Sequence, residues 1–354
     1  MFSSGLSTIK LICHCLVVSD LDDAGLSKLI KSLSSRNFEW GKFCHIAGRN
    51  WLLSYLHYVL DQEDLLELVP EEVQTEILAV SQLTKSRNQR IKHQLEQIIY
   101  VLNLNNIQPL LLKGASYLMR PVSQIQEFRM ISDIDLLIPE PSLKPAVDAL
   151  NSEGYRFSNF LPDGTNYHLD PMTKEGMPAR LELHTKPLAA ECIELISAVS
   201  AWKNADLIQK DEQSYYLFNP EYRLIHQFAH AQIHSRDYAN NRIDLRQLFD
   251  FYLMCKIYSK TINWSFVDTL FSAHHRNIWM DYVFTAKLVF SNLDKLPVSN
   301  TVGQHTQARM VLAKSSGDYN QVYIYHWLGR LTRLPQRLIS PDWYTSKFKY
   351  LFNK

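Results

Sequence analysis

The chain has 354 residues, of which 46% are hydrophobic and 21% charged, and its formal net charge is +1. That length accommodates two or three domains, or one core with large additions. Its 11 glycines and 14 prolines exclude long flexible linkers and the make-up of a disordered adaptor. The near-neutral charge lacks the basic excess of a duplex-binding protein and leaves only a local patch open.

The N-terminus offers one lysine and a short apolar run, Leu11 to Val18. The run is too short to span a bilayer and is not followed by a small-residue cleavage site. No other stretch approaches a transmembrane length, so a cytoplasmic protein is expected. Cys13, Cys15, Cys44, Cys192 and Cys255 are odd in number and irregular in spacing, which does not describe a disulfide framework. Cys13-His14-Cys15 and Cys44-His45 bring zinc to mind, but paired CxxC-type spacing is missing. Apolar neighbours make buried, inert thiols the expectation.

Residues 1 to about 104 read as helical. Trp40, Phe43, Cys44, Ala47, Trp51, Leu52, Tyr55 and Leu56 recur at spacings of three and four, an amphipathic stripe. Pro70-Glu71-Glu72 starts a helix that runs through Tyr100. The pattern then changes. Ile107 to Leu112 is a short apolar run closed by Lys113-Gly114, which predicts a buried strand, with a helix over Ala115–Met119. Asp133–Ile138 is a second strand and Leu143–Glu153 a helix capped by Gly154. Strands follow over Tyr155–Phe160 and Tyr167–Leu169 with a Pro162-Asp163-Gly164 turn between them, then over Arg180–His184. Helices are predicted for Glu221–Ser235, Asp244–Ser259, Trp264–His274 and Ile278–Asn292. The stretch from Pro297 to about Asp318 reads as loop or weak helix. These elements make an α+β protein: a small mixed-sheet core, 105–216, between a helical N-terminal region, 1–104, and a helical C-terminal domain, 217–354.

Three features carry chemistry. In Ser132-Asp133-Ile134-Asp135-Leu136-Leu137 the two aspartates sit two apart on a strand and project to one face. Adjacent carboxylates repel and call for a cation, and Mg²⁺ (or Mn²⁺) prefers oxygen ligands while keeping substrate phosphates. Aspartate is otherwise depleted in strands. In Leu111-Leu112-Lys113-Gly114-Ala115-Ser116 a strand runs into a helix start. There, free backbone N–H groups, the Lys113 charge and the Ser116 hydroxyl could hold phosphate oxygens. A plain strand-to-helix turn is the bland alternative. In Leu181-Glu182-Leu183-His184, Glu182 and His184 share a face. If this strand lies beside the aspartates, Glu182 becomes a third carboxylate, able to bind metal or accept a proton. Standing alone it would be a solvated edge strand.

These features in this order resemble the DNA polymerase β-like nucleotidyltransferase superfamily, and within it the bacterial family of large, mostly uncharacterised nucleotidyltransferases. The matching stretches are Phe38-Glu39-Trp40 with Ala47, Leu112-Lys113-Gly114, Arg129 with Ser132 to Leu137, Glu182-Leu183-His184, then His226, His230 and Asp250. The resemblance implies a metal role for Asp133 and Asp135, a third-carboxylate role for Glu182 and triphosphate contact at Gly114. Lys-Gly-Ala-Ser stands where the superfamily has Gly-Ser, so Ser116 need not occupy the usual serine's place. Arg129, on the loop before the aspartate strand, reaches either the triphosphate or a surface ion pair with Glu127.

His226, His230 and His234 repeat every four residues. Without a glutamate in the zinc-protease position, a helix lining the cleft is a better reading than a zinc site. Arg246 and Asp250 are spaced as a helical ion pair. The tail from Trp327 to Lys354 mixes aromatic and basic residues, suited to single-stranded nucleic acid or an anionic membrane surface, but packing aromatics with a basic rim is the simpler reading. The expected activity moves a nucleotidyl group from a nucleoside triphosphate to an acceptor (small molecule, sugar, peptide, protein or RNA) and releases pyrophosphate. A non-catalytic, antitoxin-like module, RNA-directed transfer and a kinase-like transfer of the γ-phosphate on the same scaffold are the rivals.

Overall fold

The computed structural model describes residues 5–121, 123–158, 167–290 and 302–317, with Leu293 and Leu296. The sequence begins with four helices, α1 (Gly5–Leu16), α2 (Asp23–Leu33), α3 (Trp40–Arg49) and α4 (Leu53–Gln62), and a long α5 (Glu71–Leu104). The start of α5 follows the residue chemistry: Pro70 precedes it, and Glu71 and Glu72 lie at its positive end. The apolar run that is too short for a membrane is the buried side of α1, where Ile9, Ile12, Cys13 and Cys15 have no exposure. All five cysteines are free and buried. Burial pushes the Cys44 thiol up to about 11 and that of Cys15 to about 12, which keeps both protonated and unreactive.

The sheet follows: β1 (Leu110–Leu111), α6 (Lys113–Met119), β2 (Asp133–Leu137), α7 (Leu143–Ser152), β3 (Arg156–Phe157), β4 (Met172–Thr173), β5 (Arg180–His184), α8 (Ala198–Lys203), β6 (Ala205–Lys210) and β7 (Gln213–Phe218). Its strand order is β3-β4-β5-β2-β1-β7-β6. β2 runs parallel to β5 and β1 to β7, while the β1–β2, β3–β4, β4–β5 and β6–β7 pairs are antiparallel. The sheet is therefore mixed, and the fold is α+β as expected. Helix α7 ends as read, with Gly154 at φ +90°. The strands near 155–169 are shorter than expected: β3 stops at Phe157, and Tyr167–Leu169 contributes only a bridge between His168 and His184. The expected turn at 162–164 lies outside the described residues.

After the sheet come α9 (Pro220–Phe228), α10 (Leu245–Ile257), α11 (Trp264–Thr269), α12 (Ala273–Val289) and α13 (Val302–Ser315). Two boundaries differ from the sequence reading. The helix expected over Trp264–His274 breaks after Thr269, because the Ser272 hydroxyl accepts from His275 N–H and starts a new helix. The stretch expected to be loop or weak helix carries α13, whose Ala308, Val311, Leu312 and Ala313 are buried. The basic, aromatic tail lies outside the described residues.

Two apolar clusters organise these elements. One joins α1–α4 to α9–α12, with Tyr55 and Phe249 in edge-to-face contact at 5.2 Å. The other packs one face of the sheet, Ile134, Leu136, Leu181 and Leu183, against α7 and the C-terminal part of α5. The opposite face of β2 and β5 is turned toward the helical cluster, and the polar side chains of those strands project into that space.

Candidate active site

Register decides which polar groups meet. On β2 and β5, Asp133 lies beside Arg180, Asp135 beside Glu182 and Leu137 beside His184. Side chains alternate along a strand, so all six share one face. The intervening Ile134, Leu136, Leu181 and Leu183 take the core face with no exposure.

Around Asp135 the contacts are close. Lys113 Nζ donates to Asp135 Oδ1 at 2.7 Å, and His184 Nε2 lies 2.9 Å from the same oxygen. Ligand atoms of Asp135, Glu182 and His184 fall within 4.8 Å of one another, close enough for the three to hold one metal ion. Asp133 is held apart: its Oδ1 accepts from Arg180 at 3.2 Å and its Oδ2 from Ser132 at 2.6 Å. The expected Asp133–Asp135–Glu182 trio thus shares a face, while the tight cluster is Asp135, Glu182 and His184.

Electrostatics separate these groups. Burial favours a protonated Asp135, but the Lys113 ammonium and the His184 hydrogen bond outweigh it and hold the carboxyl well below the usual range. Glu182 goes the other way. Burial and then the Asp135 charge push its carboxyl up to about 7, with Asp133 adding to the effect. Burial lowers His184 to about 4, so the ring is neutral at pH 7 and donates from Nε2 to Asp135. A second carboxylate that resists ionising beside an ionised one is what a cation between them would relieve. Asp135 and Glu182, two oxygen donors, fit a hard divalent cation.

A cavity of about 520 Å³ lies over this cluster, within the size range of small-molecule sites. Lys113, Gly114, Ser116, Arg129, Asp133, Asp135, Glu182, His226 and His230 all line it. His184 does not. It is fully buried behind Asp135 and acts as that carboxylate's support rather than as a cavity wall.

The strand-to-helix turn differs in detail from a phosphate loop. Lys113 adopts φ +44°, a left-handed conformation costing about 1 kcal/mol or more for a residue with a Cβ. Gly114 is required by packing, since a Cβ there would stand 2.9 Å from Ile131 Cγ2. Ser116 Oγ donates back to the Lys113 carbonyl at 2.8 Å, so its proton is already engaged.

Arg129 is neither surface-exposed nor paired with Glu127, which bridges to Lys85 instead. Its Nε donates to the fully buried Asp250 at 2.8 Å. Arg246 is consequently not the i,i+4 partner of Asp250. It pairs with Asp244 at 3.1 Å and donates to the Met130 carbonyl at 2.7 Å. Long-range burial outweighs the local helical pairing. His226 lies 3.0 Å from the Pro187 carbonyl, which can only accept, so Nε2 carries the proton. Burial and then the Lys113 charge push His226 down to about 3, and His230 is lowered well below its ordinary value for the same reasons. The histidine repeat does not stay on one α-helical face. Past Phe228 the chain widens to a π-helical turn over Ala229–His234, a distortion that recurs at functional sites.

Polar side chains of α5 fix the loops that feed both strands. Arg87 donates to the carbonyls of Ile131 and Pro178, and Asn88 to those of Glu127 and Arg129. Gln94 both accepts from Ala179 N–H at 3.1 Å and donates to its carbonyl at 2.9 Å. The sequence reading did not single out Arg180, Tyr167, His168 or Arg223, all of which line the cavity. Two carried a signal: Arg180 shares the strand period of Glu182, and Arg223 sits three residues before His226 on α9. Tyr167 and His168 carried none.

No curated protein and no solved structure matches the chain. A family model described as "Uncharacterised nucleotidyltransferase" matches residues 36–276. That span takes in the sheet and every described residue lining the cavity. On a match of this extent, the chain belongs to that nucleotidyltransferase family.

Proposed function

We propose that this protein transfers a nucleotidyl group from a nucleoside triphosphate to an acceptor and releases pyrophosphate, using a divalent cation, Mg²⁺ or Mn²⁺, held by Asp135 and Glu182. The observation that carries the reading is the in-register pairing of Asp135 with Glu182 beneath the cavity, with His184 and Lys113 converging on Asp135. When bound, such a cation neutralises phosphate charge and polarises the phosphoryl group under attack. Asp133 is the third carboxylate, available once it releases Arg180.

The chain's own groups have distinct parts. Neutral His184 orients Asp135 through Nε2–H. Lys113, whose ammonium Asp135 keeps charged against the effect of burial, balances the carboxylates and supplies a cation next to the phosphates. The backbone at Gly114 and Ser116 and the guanidinium of Arg129 flank the same ligand. The family assignment supports nucleotidyl transfer, and a cavity of nucleotide size supports a triphosphate as donor.

Calorimetric titration of each nucleoside triphosphate with Mg²⁺ tests this, on the wild type and on the Asp133→Asn, Asp135→Asn double variant. Mg²⁺-dependent binding that disappears in the variant is expected. Turnover should then release pyrophosphate; release of a nucleoside diphosphate instead would make the reaction a phosphoryl transfer. Well-folded wild type that binds no triphosphate would overturn the reading.

A further inference from the structure

Among the described residues four arginines line the cavity, and three have a carboxylate: Arg129 has Asp250 at 2.8 Å, Arg180 has Asp133 at 3.2 Å and Arg246 has Asp244 at 3.1 Å. Arg223 has none within 4.0 Å among the described residues, although it is only 7% exposed. Both its terminal nitrogens point at one acceptor, the Arg120 carbonyl, at 3.3 Å each, and its Nε has no partner among the described residues. Its guanidinium carbon lies 4.3 Å from the centre of the Tyr117 ring, and that of Arg129 lies 5.0 Å from the same ring. The ring attracts both cations but neutralises neither. The Nε of Arg246, on the adjoining helix, is also buried without an acceptor among the described residues. A buried guanidinium with no counter-charge is costly, and the usual remedy is an anion.

We propose that the helical wall of the cavity, centred on Arg223 of α9 and lined also by Arg246 of α10, is an oxyanion subsite that takes a phosphate group of a substrate. The sheet wall, with Asp135 and Glu182, is acidic, and the helical wall is cationic. A ligand that satisfies both bears a phosphate at one end of the cavity and meets the cation at the other. The planar fork of arginine suits phosphate oxygens. This deepens the nucleotidyl-transfer reading and rests on it only for which substrate brings the phosphate. Two sources share the chemistry: the phosphate tail of the triphosphate, and a phosphate on the acceptor.

The test uses inorganic pyrophosphate as probe, titrated calorimetrically in EDTA, without divalent cation. Wild type should bind, Arg223→Gln should bind at least about tenfold more weakly, and Arg246→Gln should also weaken. Without the probe, Arg223→Gln should unfold at no lower temperature than wild type, because it removes an uncompensated buried charge. Should Arg223→Gln fail to fold, Arg223→Lys keeps the charge without the fork and should bind more weakly than wild type. Wild type that does not bind pyrophosphate, or a folded Arg223→Gln that binds it as tightly, would overturn the subsite. Titration of the Mg²⁺-triphosphate into Arg223→Gln separates the sources. A parallel loss assigns the phosphate to the triphosphate, and unchanged affinity assigns it to the acceptor. The Asp133→Asn, Asp135→Asn variant should still bind metal-free pyrophosphate, so failure of the cation site does not pass for failure of this one.

Discussion

Substitution of Asp250 by asparagine tests how the site is held. Asp250 has no exposure, and its carboxylate accepts from Arg129 Nε at 2.8 Å and from Tyr55 O–H at 3.3 Å. Asparagine keeps the volume and one carbonyl oxygen but leaves the Arg129 charge, 7% exposed, without its counter-ion. Breaking one side of a buried pair costs about 3–5 kcal/mol. The retained acceptor places Asp250→Asn near the lower figure and Asp250→Ala near the upper. Against a total stability of about 5–15 kcal/mol that is a large fraction. Urea unfolding followed by circular dichroism reads it directly: with a slope of about 3 kcal/mol per molar, the midpoint should fall by about 1 M. Replacing both partners, Arg129→Met with Asp250→Leu, should recover most of the loss, because no charge is then buried alone. A loss below about 1 kcal/mol in Asp250→Asn, or a double variant no better than the single, would refute the idea that this pair anchors the loop before β2 to α4 and α10.

Two further outcomes follow from the geometry. Gly114→Ala forces a Cβ to within 2.9 Å of Ile131 Cγ2 and should cost about 1–3 kcal/mol by thermal unfolding. His226 is neutral in the fold with its proton affinity pushed down to about 3, whereas the unfolded chain takes up that proton near pH 6.5. The unfolded state therefore binds more protons between those values, and the stability present above pH 6.5 is lost as pH falls. Relative to His226→Gln, wild type should lose about 1.4 kcal/mol per pH unit below about pH 6, and parallel stability curves for the two proteins would count against a buried neutral ring.

The chemistry of the site was legible where a short period sets it. Alternation put Asp133 with Asp135 and Glu182 with His184, and it also put the apolar residues between them into the core. Which carboxylate joins the tight cluster was not legible. It depends on Arg180 drawing Asp133 aside and on Lys113 reaching Asp135 from the start of α6, the helix before β2. Contacts across long separations were equally hidden: a local rule paired Arg246 with Asp250, while the fold gives Asp250 to Arg129, 121 positions earlier. The β6–β7 hairpin was missed for a different reason. Asp211 and Glu212 form its two-residue connection with φ of 49° and 64°. Such positions are usually marked by Asn-Gly or Asp-Gly, and without glycine they send no turn signal. In α13 a polar, weakly periodic sequence left loop and weak helix both open, because the buried face is built largely from alanine, valine and leucine late in the segment.

Helix α5 has a consequence for anyone who would isolate the chemistry. Its 34 residues extend about 51 Å. Ile77 near its start belongs to the helical cluster, and Ile91, Leu95, Ile98, Ile99 and Leu102 belong to the core under the sheet. A fragment beginning at residue 105 would carry every candidate catalytic group, yet it would strip the sheet of one side of its core. It would also leave the Ala179 N–H and C=O without the Gln94 amide that satisfies both. A piece able to hold Asp135 and Glu182 in register therefore reaches back at least to Arg87, well before the first residue that touches the cavity.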